Sequence, residues 1–334
     1  MKLRTVEYDK SINAINLIDQ RNLPFKLDYI NCHNSEECAK LIKDMATRGA
    51  GAIGAMAAYG MAQAIIMGEN IDIAHTTLLN ARPTAVDLKN GIDYVYAHQL
   101  DPYNAAQNFV EGIVKDCEEL KRHGQELIKP NMRILTHCNA GWLAFVEEGT
   151  GSATAPIYGA HDEGKKPFVW VDETRPRLQG AQLTAWELER YGVEHKIITD
   201  NSAASLMAQG KVDLIITGAD RVCAKSGHAF NKIGTYSLAV LAEYHDLPFY
   251  IAAPKSTLDK DKTFDQVIIE ERDENEVKQV TGETLFMEEV IEVAITNKNS
   301  KAYNQAFDCV PPELITGYIT PKGIVKTDEL LGIH

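Results

Sequence analysis

The sequence predicts an α/β protein in two parts, a mainly helical N-terminal domain over residues 1–125 and a Rossmann-like, parallel-sheet domain over residues 126–334. Three observations support this prediction. The chain has 334 residues, 45% of them hydrophobic, which suffices for two packed cores. Hydrophobic residues recur at helical spacing up to about residue 125. Beyond that point, short hydrophobic runs rich in β-branched and aromatic residues alternate with helical segments.

The N-terminal domain is predicted to contain helices on both sides of a glycine-rich bend. Before the bend, ECAKLIKDMA places Cys38, Ile42 and Met45 at helical spacing. After it, AIGAMAAYGMAQAII is rich in Ala and Met and lacks proline, a composition that favours a helix. Farther along, AAQNFVEGIVKDCEELKRHGQELI has the pattern of a long amphipathic helix that ends near Pro130.

Five short runs in the second domain have the composition of buried strands. They are RILTHC (133–138), FVWVDE (168–173), HKIIT (195–199), VDLIITG (212–218) and PFYIAAP (248–254). Helical segments such as LTAWELERYG and NKIGTYSLAVLAEYH separate them. This alternation predicts a doubly wound parallel sheet with right-handed crossovers, and a ligand site outside the carboxyl ends of its strands.

The bend TRGAGAIG contains Gly49, Gly51 and Gly54 in the spacing G-x-G-x-x-G, which is typical of dinucleotide-binding loops. That motif requires a buried strand before the first glycine, whereas the preceding segment here is helical, so NAD binding is not predicted. Free backbone N–H groups and the positive end of the following helix still suit a phosphate, to which Arg48 can add a bidentate contact. Close helix packing through small residues is the alternative explanation of these glycines.

Two chemically reactive residues follow predicted strands. Cys138 ends the first of the five runs and Asp220 follows the fourth, so a parallel sheet brings both to one edge. A thiol near a helix start is expected to have a lowered pKa, and a carboxyl at the rim of an apolar cleft to keep its proton. The alternatives are a structural cysteine and, for Asp220, a helix cap or a salt bridge to Arg221. His137 points to the opposite face of the strand, so no Cys-His pair is expected.

The bulk composition narrows the class of partners. A net charge of −13 and a pI near 5.3 argue against nucleic acid or an anionic membrane. The amino terminus has no apolar signal segment, and no stretch approaches the roughly 18 apolar residues of a membrane span, so we expect a soluble, cytoplasmic protein. The six cysteines form no C-x-x-C pair and no zinc-type cluster, so we expect reduced thiols and no metal.

Seven stretches that span most of the chain match one group of proteins. They are TRGAGAIGAMAAYG (47–60), ARPTAVDL (81–88), ILTHCNAG (134–141), VWVDETRPRLQGAQLTAWEL (169–188), ITGADRVCAKSGHAFNKIGTY (216–236), FYIAAPKST (249–257) and AFDCVPPELIT (306–316). With these motifs the sequence resembles the 5-methylthioribose-1-phosphate isomerases of methionine salvage. That family shares a fold with ribose-1,5-bisphosphate isomerases and with regulatory subunits of the guanine-nucleotide exchange factor of eukaryotic translation.

The resemblance implies a role for individual residues. Cys138 and Asp220 correspond to the catalytic pair of the family. The implied substrate-binding residues are Arg48, Gly49, Ala50, Arg82, Gln179, Asn231 and Lys232. The two arginines and the amides beside Arg48 would hold the phosphate of the sugar. The implied reaction converts an aldose 1-phosphate to a ketose 1-phosphate and is redox-neutral, so it needs neither NAD nor a metal. Enzymes of this kind are homodimers, and we expect one here.

Two positions depart from the family pattern and leave the 5-substituent of the sugar open. Gly51 replaces the usual proline, which frees an N–H group and loosens the bend. Trp142 replaces a small residue close to Cys138, where it either covers the cleft or packs against the neighbouring helix. A 5-deoxyribose 1-phosphate or a ribose 1,5-bisphosphate is therefore an alternative substrate. A non-enzymatic regulatory scaffold, like the translation factor subunits, is the alternative from another functional class.

Overall fold

The structure is a computed structural model that describes residues 2–83, 85–287 and 289–333. Over these residues the predicted α/β class is confirmed. The N-terminal part opens with a three-stranded antiparallel sheet, which the sequence patterns did not predict. Its strands are β1 (Val6–Asp9), β2 (Ala14–Ile18) and β3 (Tyr29–Cys32). Such short strands are stable only when paired, and they leave little periodic signal in a sequence.

Helices make up the rest of the N-terminal part, as predicted. Within the described residues they are α1 (Ser35–Lys43), α2 (Ala50–Met67), α3 (Ile71–Leu79), α4 (Val86–Ala97) and α5 (Pro102–Gly124). Asn34 and Asn70 cap α1 and α3 by accepting a backbone hydrogen bond. A single 3-10 turn, Gln125–Leu127, follows α5.

Helix α2 is buried on nearly all sides. Its 18 residues have a mean hydropathy of 1.4, so by length and composition it qualifies as a membrane span, and the expectation that no stretch does so is wrong. The protein itself buries 78% of this helix, which is the environment of a core helix. A Cβ on Gly54 would lie 2.9 Å from the Asp87 carbonyl oxygen, and one on Gly91 would lie 2.4 Å from the Gly54 oxygen. Small residues therefore let α2 and α4 pack closely.

The C-terminal part alternates strands and helices. Its first elements are β4 (Arg133–Thr136), α6 (Ala155–Asp162), β5 (Phe168–Asp172), α7 (Ala185–Tyr191), β6 (Glu194–Ile198), α8 (Ala203–Ala208) and β7 (Leu214–Gly218). They are followed by β8 (Arg221–Cys223), β9 (Ala229–Lys232), α9 (Thr235–Tyr244), β10 (Phe249–Ala252), β11 (Leu258–Asp259), α10 (Asn275–Lys278), β12 (Gln279–Glu283), β13 (Val290–Ala294), β14 (Phe307–Val310), β15 (Gly317–Thr320) and β16 (Gly323–Val325).

The described strands include a seven-stranded sheet of order β16-β15-β10-β7-β4-β5-β6. Neighbours are parallel except β15 and β16. The five predicted strands are β4, β5, β6, β7 and β10, and they occupy adjacent places in this sheet. From β4 the chain adds β5 and β6 on one side and then places β7 on the other, so the strand order reverses between β4 and β7. Ligands of open α/β sheets bind at such a reversal, outside the carboxyl ends of the strands.

A second sheet, of order β11-β8-β9-β14, lies beside the carboxyl end of β7. Its strand β9 corrects the prediction that NKIGTYSLAVLAEYH is helical throughout, because Asn231 and Lys232 are in the strand and α9 begins only at Thr235. Pairing with β8 and with the distant β14 overrides the local helical preference. The Asp220 N–H donates to the Phe230 carbonyl at 2.9 Å and holds β9 at this position.

Candidate active site

The carboxyl ends of β4 and β7 and the N-terminus of α2 border one pocket. Its lining includes all nine residues singled out from the sequence, namely Arg48, Gly49, Ala50, Arg82, Cys138, Gln179, Asp220, Asn231 and Lys232. Four of them precede α4 and five follow β4, so both parts of the chain build the pocket. Cys138 and Asp220 meet here because β4 and β7 are parallel neighbours.

Cys138 has a left-handed backbone conformation with a φ of 66°. This conformation is unfavourable for a residue with a Cβ, so its neighbours must hold it in place. The Cys138 N–H donates to the hydroxyl oxygen of Thr174 at 2.9 Å, and the Thr184 hydroxyl donates to the Cys138 carbonyl at 2.7 Å. The two threonines fix the backbone from which the thiol reaches the pocket. Strain that is held in this way is typical of functional residues.

His137 does not pair with Cys138, in agreement with the alternation of side chains along a strand. Its Nδ1 lies 2.9 Å from Oδ2 of Asp172, and its Nε2 lies 2.9 Å from the Ile233 carbonyl oxygen. A carbonyl oxygen can only accept, so Nε2 donates to it; with Asp172 ionised, Nδ1 donates as well and His137 is an imidazolium. The pKa of His137 is raised: its burial opposes the charge, and the hydrogen bond and charge of Asp172 outweigh that effect. Burial raises the pKa of Asp172 to about 6. This buried ion pair links the ends of β4 and β5 to the chain after β9.

The loop after Cys138 wraps around a buried carboxylate. Glu187 accepts hydrogen bonds from the backbone N–H groups of Trp142 and Leu143, each at 3.0 Å, and from the Asn139 amide at 2.9 Å. Burial raises the pKa of Glu187 to about 7, and these donors oppose the rise. The carboxylate therefore sets the path of the loop beneath the pocket.

Trp142 is fully buried beneath this loop. Its indole packs against Trp186 of α7, with 5.9 Å between the ring centroids, and it is absent from the described lining of the pocket. The hypothesis that Trp142 covers the cleft is therefore wrong, and the alternative, packing against the neighbouring helix, is correct. The hydrogen bond from the backbone N–H of Trp142 to Glu187 turns the chain inward, which a sequence pattern does not reveal.

Five basic side chains line the pocket: Arg48, Arg82, Arg177, Lys232 and Arg272. Burial and the nearby Arg177 lower the pKa of Arg48 to about 10. Burial and Arg272 lower the pKa of Arg82. Neither Arg48 nor Arg82 has an ion-pair partner among the described residues. Both remain charged at neutral pH, and partly buried cations without partners attract an anion.

The expectation of a lowered thiol pKa at Cys138 is wrong. Burial raises the pKa of the Cys138 thiol, Lys232 opposes the rise, and Asp220 adds to it. The chain after Cys138 is irregular up to the single 3-10 turn Trp142–Ala144, so no regular helix begins directly after this cysteine. The stabilisation of a thiolate therefore depends on the basic side chains of the pocket.

The carboxyl of Asp220 behaves as expected. Its side chain is exposed to the pocket, yet the surrounding protein still raises the pKa of Asp220 by desolvation, with Lys232 and Arg82 opposing the rise. The chain continues into strand β8, which excludes a helix cap, and Arg221 pairs with Asp259. Both alternative explanations of Asp220 are therefore wrong.

The remaining predicted residues line the opposite wall. Lys232 donates through Nζ to the Ala306 carbonyl at 2.9 Å, and the Asn231 amide donates to the Thr235 hydroxyl at 3.0 Å. The Oε1 atom of Gln179 is buried and has no hydrogen-bond partner in the described part of the chain. Gln179 precedes a single π-helical turn, Gly180–Thr184, a feature that is frequent at functional sites.

Sequence reasoning missed Arg177, Arg272 and Phe307, which also line the pocket. Lys232 Nζ lies 4.8 Å from the centroid of the Phe307 ring, and the Arg272 guanidinium lies 5.6 Å from it. Arg177 stands two residues before Gln179 in a quoted motif, so the motif offered a signal. Arg272 lies in an irregular segment without periodicity, and only the tertiary structure brings it to the pocket.

The space around Cys138, which we call the cationic compartment, continues into an apolar compartment. The hydrophobic residues that line the apolar compartment are Ile53, Ala85, Val86, Phe230, Val267, Ile268 and Ile269. Residues that line both compartments are Gly49, Ala50, Arg82, Asp220 and Phe307. One ligand can therefore place a charged end in the first compartment and an uncharged end in the second.

Comparison with known proteins gives this chain a family. Residues 46–327 match the initiation factor 2 subunit family. The chain belongs to this family. A methylthioribose-1-phosphate isomerase of Aquifex aeolicus is 46% identical over 319 residues, which cover 94% of this chain and 67% of that protein.

Two solved structures are similar over nearly the whole chain. The 5-methylthioribose 1-phosphate isomerase of Pyrococcus horikoshii OT3 has a TM-score of 0.86 and 36% identity, covering 98% of this chain and 94% of that one. The translation initiation factor eIF-2B subunit delta of A. fulgidus has a TM-score of 0.82 and 36% identity, covering 99% of each chain. This member of the initiation factor 2 subunit family is thus similar both to isomerases and to a protein named for translation.

Proposed function

We propose that this protein is an aldose-ketose isomerase that converts 5-methylthioribose 1-phosphate to 5-methylthioribulose 1-phosphate. The observation that carries the proposal is one pocket in which Cys138 and Asp220 stand beside five basic side chains, in a chain with a net charge of −13. Similarity over nearly all of this chain to proteins named for this reaction supports it. Cations suit the phosphate, and an acid and a base suit the sugar.

The phosphate belongs in the cationic compartment. Arg48 immediately precedes Gly49, and the first N–H groups of α2 have no side-chain cap in the described residues. Arg82 and Lys232 add positive charge from the facing walls. The sugar then lies between Cys138 and Asp220, and its 5-substituent enters the apolar compartment.

Opening of the sugar ring is the first chemical step. Phosphate on the anomeric oxygen blocks the usual opening of a hemiacetal, so the bond between C1 and the ring oxygen must break with acid assistance. Asp220 donates a proton to the ring oxygen, which becomes the 4-hydroxyl group. Desolvation, which raises the pKa of Asp220, keeps this proton available.

Hydrogen must then move from C2 to C1. In one route the Cys138 thiolate removes the C2 proton and returns it to C1, while the proton of the 2-hydroxyl restores Asp220, so that atoms balance over the reaction. Lys232 and Arg48 favour the thiolate that this route needs. In the other route a hydride passes directly from C2 to C1, and the thiol is not required as a base. The apolar walls protect either intermediate from water.

A regulatory scaffold is the second candidate function, favoured by the family description and by the similarity to an eIF-2B subunit. A scaffold needs no acid and thiol in one pocket. The presence of both Cys138 and Asp220 therefore favours the enzyme.

We also propose a cytoplasmic homodimer whose chains divide into two domains near residue 125. The exposed face of α9 offers an apolar stripe at a spacing of four residues, in which Tyr236, Val240 and Tyr244 are 44%, 43% and 80% exposed. Leu238 and Ala239 on the opposite face are buried in the core. Tyrosine-rich apolar stripes of this kind suit a self-complementary interface between two copies.

Turnover measured by carbon NMR tests the function. We expect pure protein to convert 5-methylthioribose 1-phosphate to a ketose 1-phosphate, and to accept 5-deoxyribose 1-phosphate within about tenfold in kcat/KM, because an apolar pocket discriminates weakly against a missing group. If these compounds and ribose 1,5-bisphosphate are all inert, the isomerase proposal fails. Co-purification with a guanine-nucleotide exchange complex would then favour the scaffold.

A further inference from the structure

Asp87 is a buried acid that the proposed chemistry does not use. It is the second residue of α4, its side chain is 3% exposed, and it lines the apolar compartment. Neither of its carboxyl oxygens makes a hydrogen bond of normal geometry with the described residues, although the Ser256 hydroxyl lies near enough to lower its pKa. Buried carboxyl groups are normally paired, so an unpaired one in the wall of a ligand pocket has a cost that calls for a functional explanation.

The position of Asp87 is fixed by its backbone. The carbonyl oxygen of Asp87 would lie 2.9 Å from a Cβ on Gly54, and the Gly54 carbonyl oxygen would lie 2.4 Å from a Cβ on Gly91 of the same helix. Helix α4 therefore sits against α2 without room to shift. This packing holds the backbone of Asp87 in the wall of the compartment.

The charged groups of the apolar compartment are mainly acidic. Asp220 and Glu270 line it together with Asp87, against Arg82 and Arg221. Arg221 forms an ion pair with Asp259, and Glu270 forms one with Arg272, which leaves Asp87, Asp220 and Arg82 as the other charged groups of the lining. Burial raises the pKa of Asp87 to about 7, the Ser256 hydroxyl opposes the rise, and Asp220 adds to it. This compartment therefore differs from the cationic compartment, where five basic side chains face the pocket.

We infer that Asp87 is a specificity-determining residue that restricts the substrate to sugars with an uncharged 5-substituent and excludes a 5-phosphate. The inference rests on the proposed function, which puts the 5-position in the apolar compartment. A methylthio or methyl group contacts hydrophobic atoms there and leaves the carboxyl undisturbed. A phosphate at the same place brings a charge of about −1.5 to −2 beside a fixed acid. The ionised form of Asp87, which predominates above a pH of about 7, repels a second anion in this desolvated site, which is a common means of rejecting the wrong ligand.

The test compares 5-methylthioribose 1-phosphate with ribose 1,5-bisphosphate on the wild-type protein, on Asp87→Asn and on Asp116→Asn. Asp116 is a partly buried neighbour whose pKa burial also raises, but it does not line either compartment. We expect the wild type to prefer the methylthio sugar by at least about 100-fold in kcat/KM, and Asp87→Asn to reduce this ratio by at least about tenfold. Asp116→Asn should leave the ratio unchanged. Partial unfolding of a variant cancels in the ratio.

Equilibrium binding provides a readout that does not depend on turnover. The affinity ratio of ribose 1-phosphate to ribose 1,5-bisphosphate, measured by calorimetry, should change in the same direction in Asp87→Asn. If the wild type turns over no sugar phosphate, the proposed function fails and this binding ratio alone decides the role of Asp87. An unchanged ratio in Asp87→Asn, or a wild type that accepts the bisphosphate equally well, overturns the inference.

Discussion

The Cys138 thiol and the Asp220 carboxyl share one electrostatic environment. Burial raises the pKa of both groups, and Lys232 is the largest influence that opposes the rise in each. Burial and the nearby Arg272 in turn lower the pKa of Lys232. The reactive form that we propose, a protonated Asp220 beside an ionised Cys138, is therefore held by a small set of charges. Loss of one group should change the chemistry more than the binding.

Substitution of either reactive group tests their roles. We expect Cys138→Ser and Asp220→Asn each to lower kcat by at least about 100-fold with little change in substrate affinity, because both act mainly in the transition state. Cys309→Ser is the matched control, since Cys309 is also partly buried but does not line either compartment. Comparable losses in all three variants would indicate a folding defect instead.

The pH profile tests the protonation states. The reactive form needs the proton on Asp220 and the charge on Cys138. Below the pKa of Asp220 the acid is already protonated, so a further fall in pH only removes thiolate and lowers the rate. Above the pKa of Cys138 the thiol is already ionised, so a further rise in pH only removes protonated Asp220 and again lowers the rate. We therefore expect kcat/KM, corrected for ionisation of the sugar phosphate, to be flat near neutrality. The acidic limb should lie above about 3.9, the ordinary pKa of an aspartic acid, and the basic limb above about 8.5, the ordinary pKa of a cysteine. A basic limb below pH 8 contradicts this assignment.

At the scale of the elements, the bend before α2 joins the phosphate site to the packing of the loop after β4. Gly49 has a φ of 96°, and a Cβ on it would lie 2.3 Å from the Cα of Ala144. A Cβ on Gly51 would lie 2.5 Å from Phe145, so the position that holds proline in the family is closely packed here. The glycines thus let the N-terminus of α2 approach the end of β4, where the pocket forms.

Gly49→Ala should therefore impair both the bend and the phosphate site. We expect KM to rise at least about tenfold, because backbone strain and the collision with Ala144 displace the N–H groups of α2. Gly68→Ala is the matched control: Gly68 ends the same helix with a φ of 72°, and nothing lies within 4 Å of its added Cβ. That variant should lose about 1 kcal/mol of unfolding free energy with an unchanged KM. Equal KM values in the two variants would show that Gly49 does not contribute to the phosphate site.

At the scale of the whole molecule, the exposed apolar stripe of α9 predicts that two chains associate through this helix. We expect light scattering at micromolar concentration to give twice the chain mass of 37.0 kDa. Val240→Glu should shift the mass towards the monomer, because it introduces a charge into an apolar interface. Ile73→Glu on α3, where Ile73 is 65% exposed, is the control and should leave the mass unchanged. A measured mass of 37.0 kDa for the wild-type protein would refute the dimer. Dissociation of Ile73→Glu but not of Val240→Glu would refute the interface on α9.

Local patterns determined the alternation of strands and helices in the second half of the chain, the long α5 and the glycine bend before α2. These features depend on hydrophobic periodicity and on glycine content, which the sequence displays directly. The motif at residues 134–141 and the predicted parallel order of the strands likewise placed Cys138 and Asp220 at one edge of the sheet, and the pairing of β4 with β7 agrees.

The tertiary structure alone decided the features that depend on distant partners. Strand β9 pairs with the distant β14, and Trp142 turns inward because a carboxylate on α7 accepts a hydrogen bond from its backbone N–H. The raised pKa of Cys138 comes from burial, and Arg272 reaches the pocket from a segment without a pattern. Burial and long-range contacts have no periodicity along a sequence, so residue types alone do not reveal them.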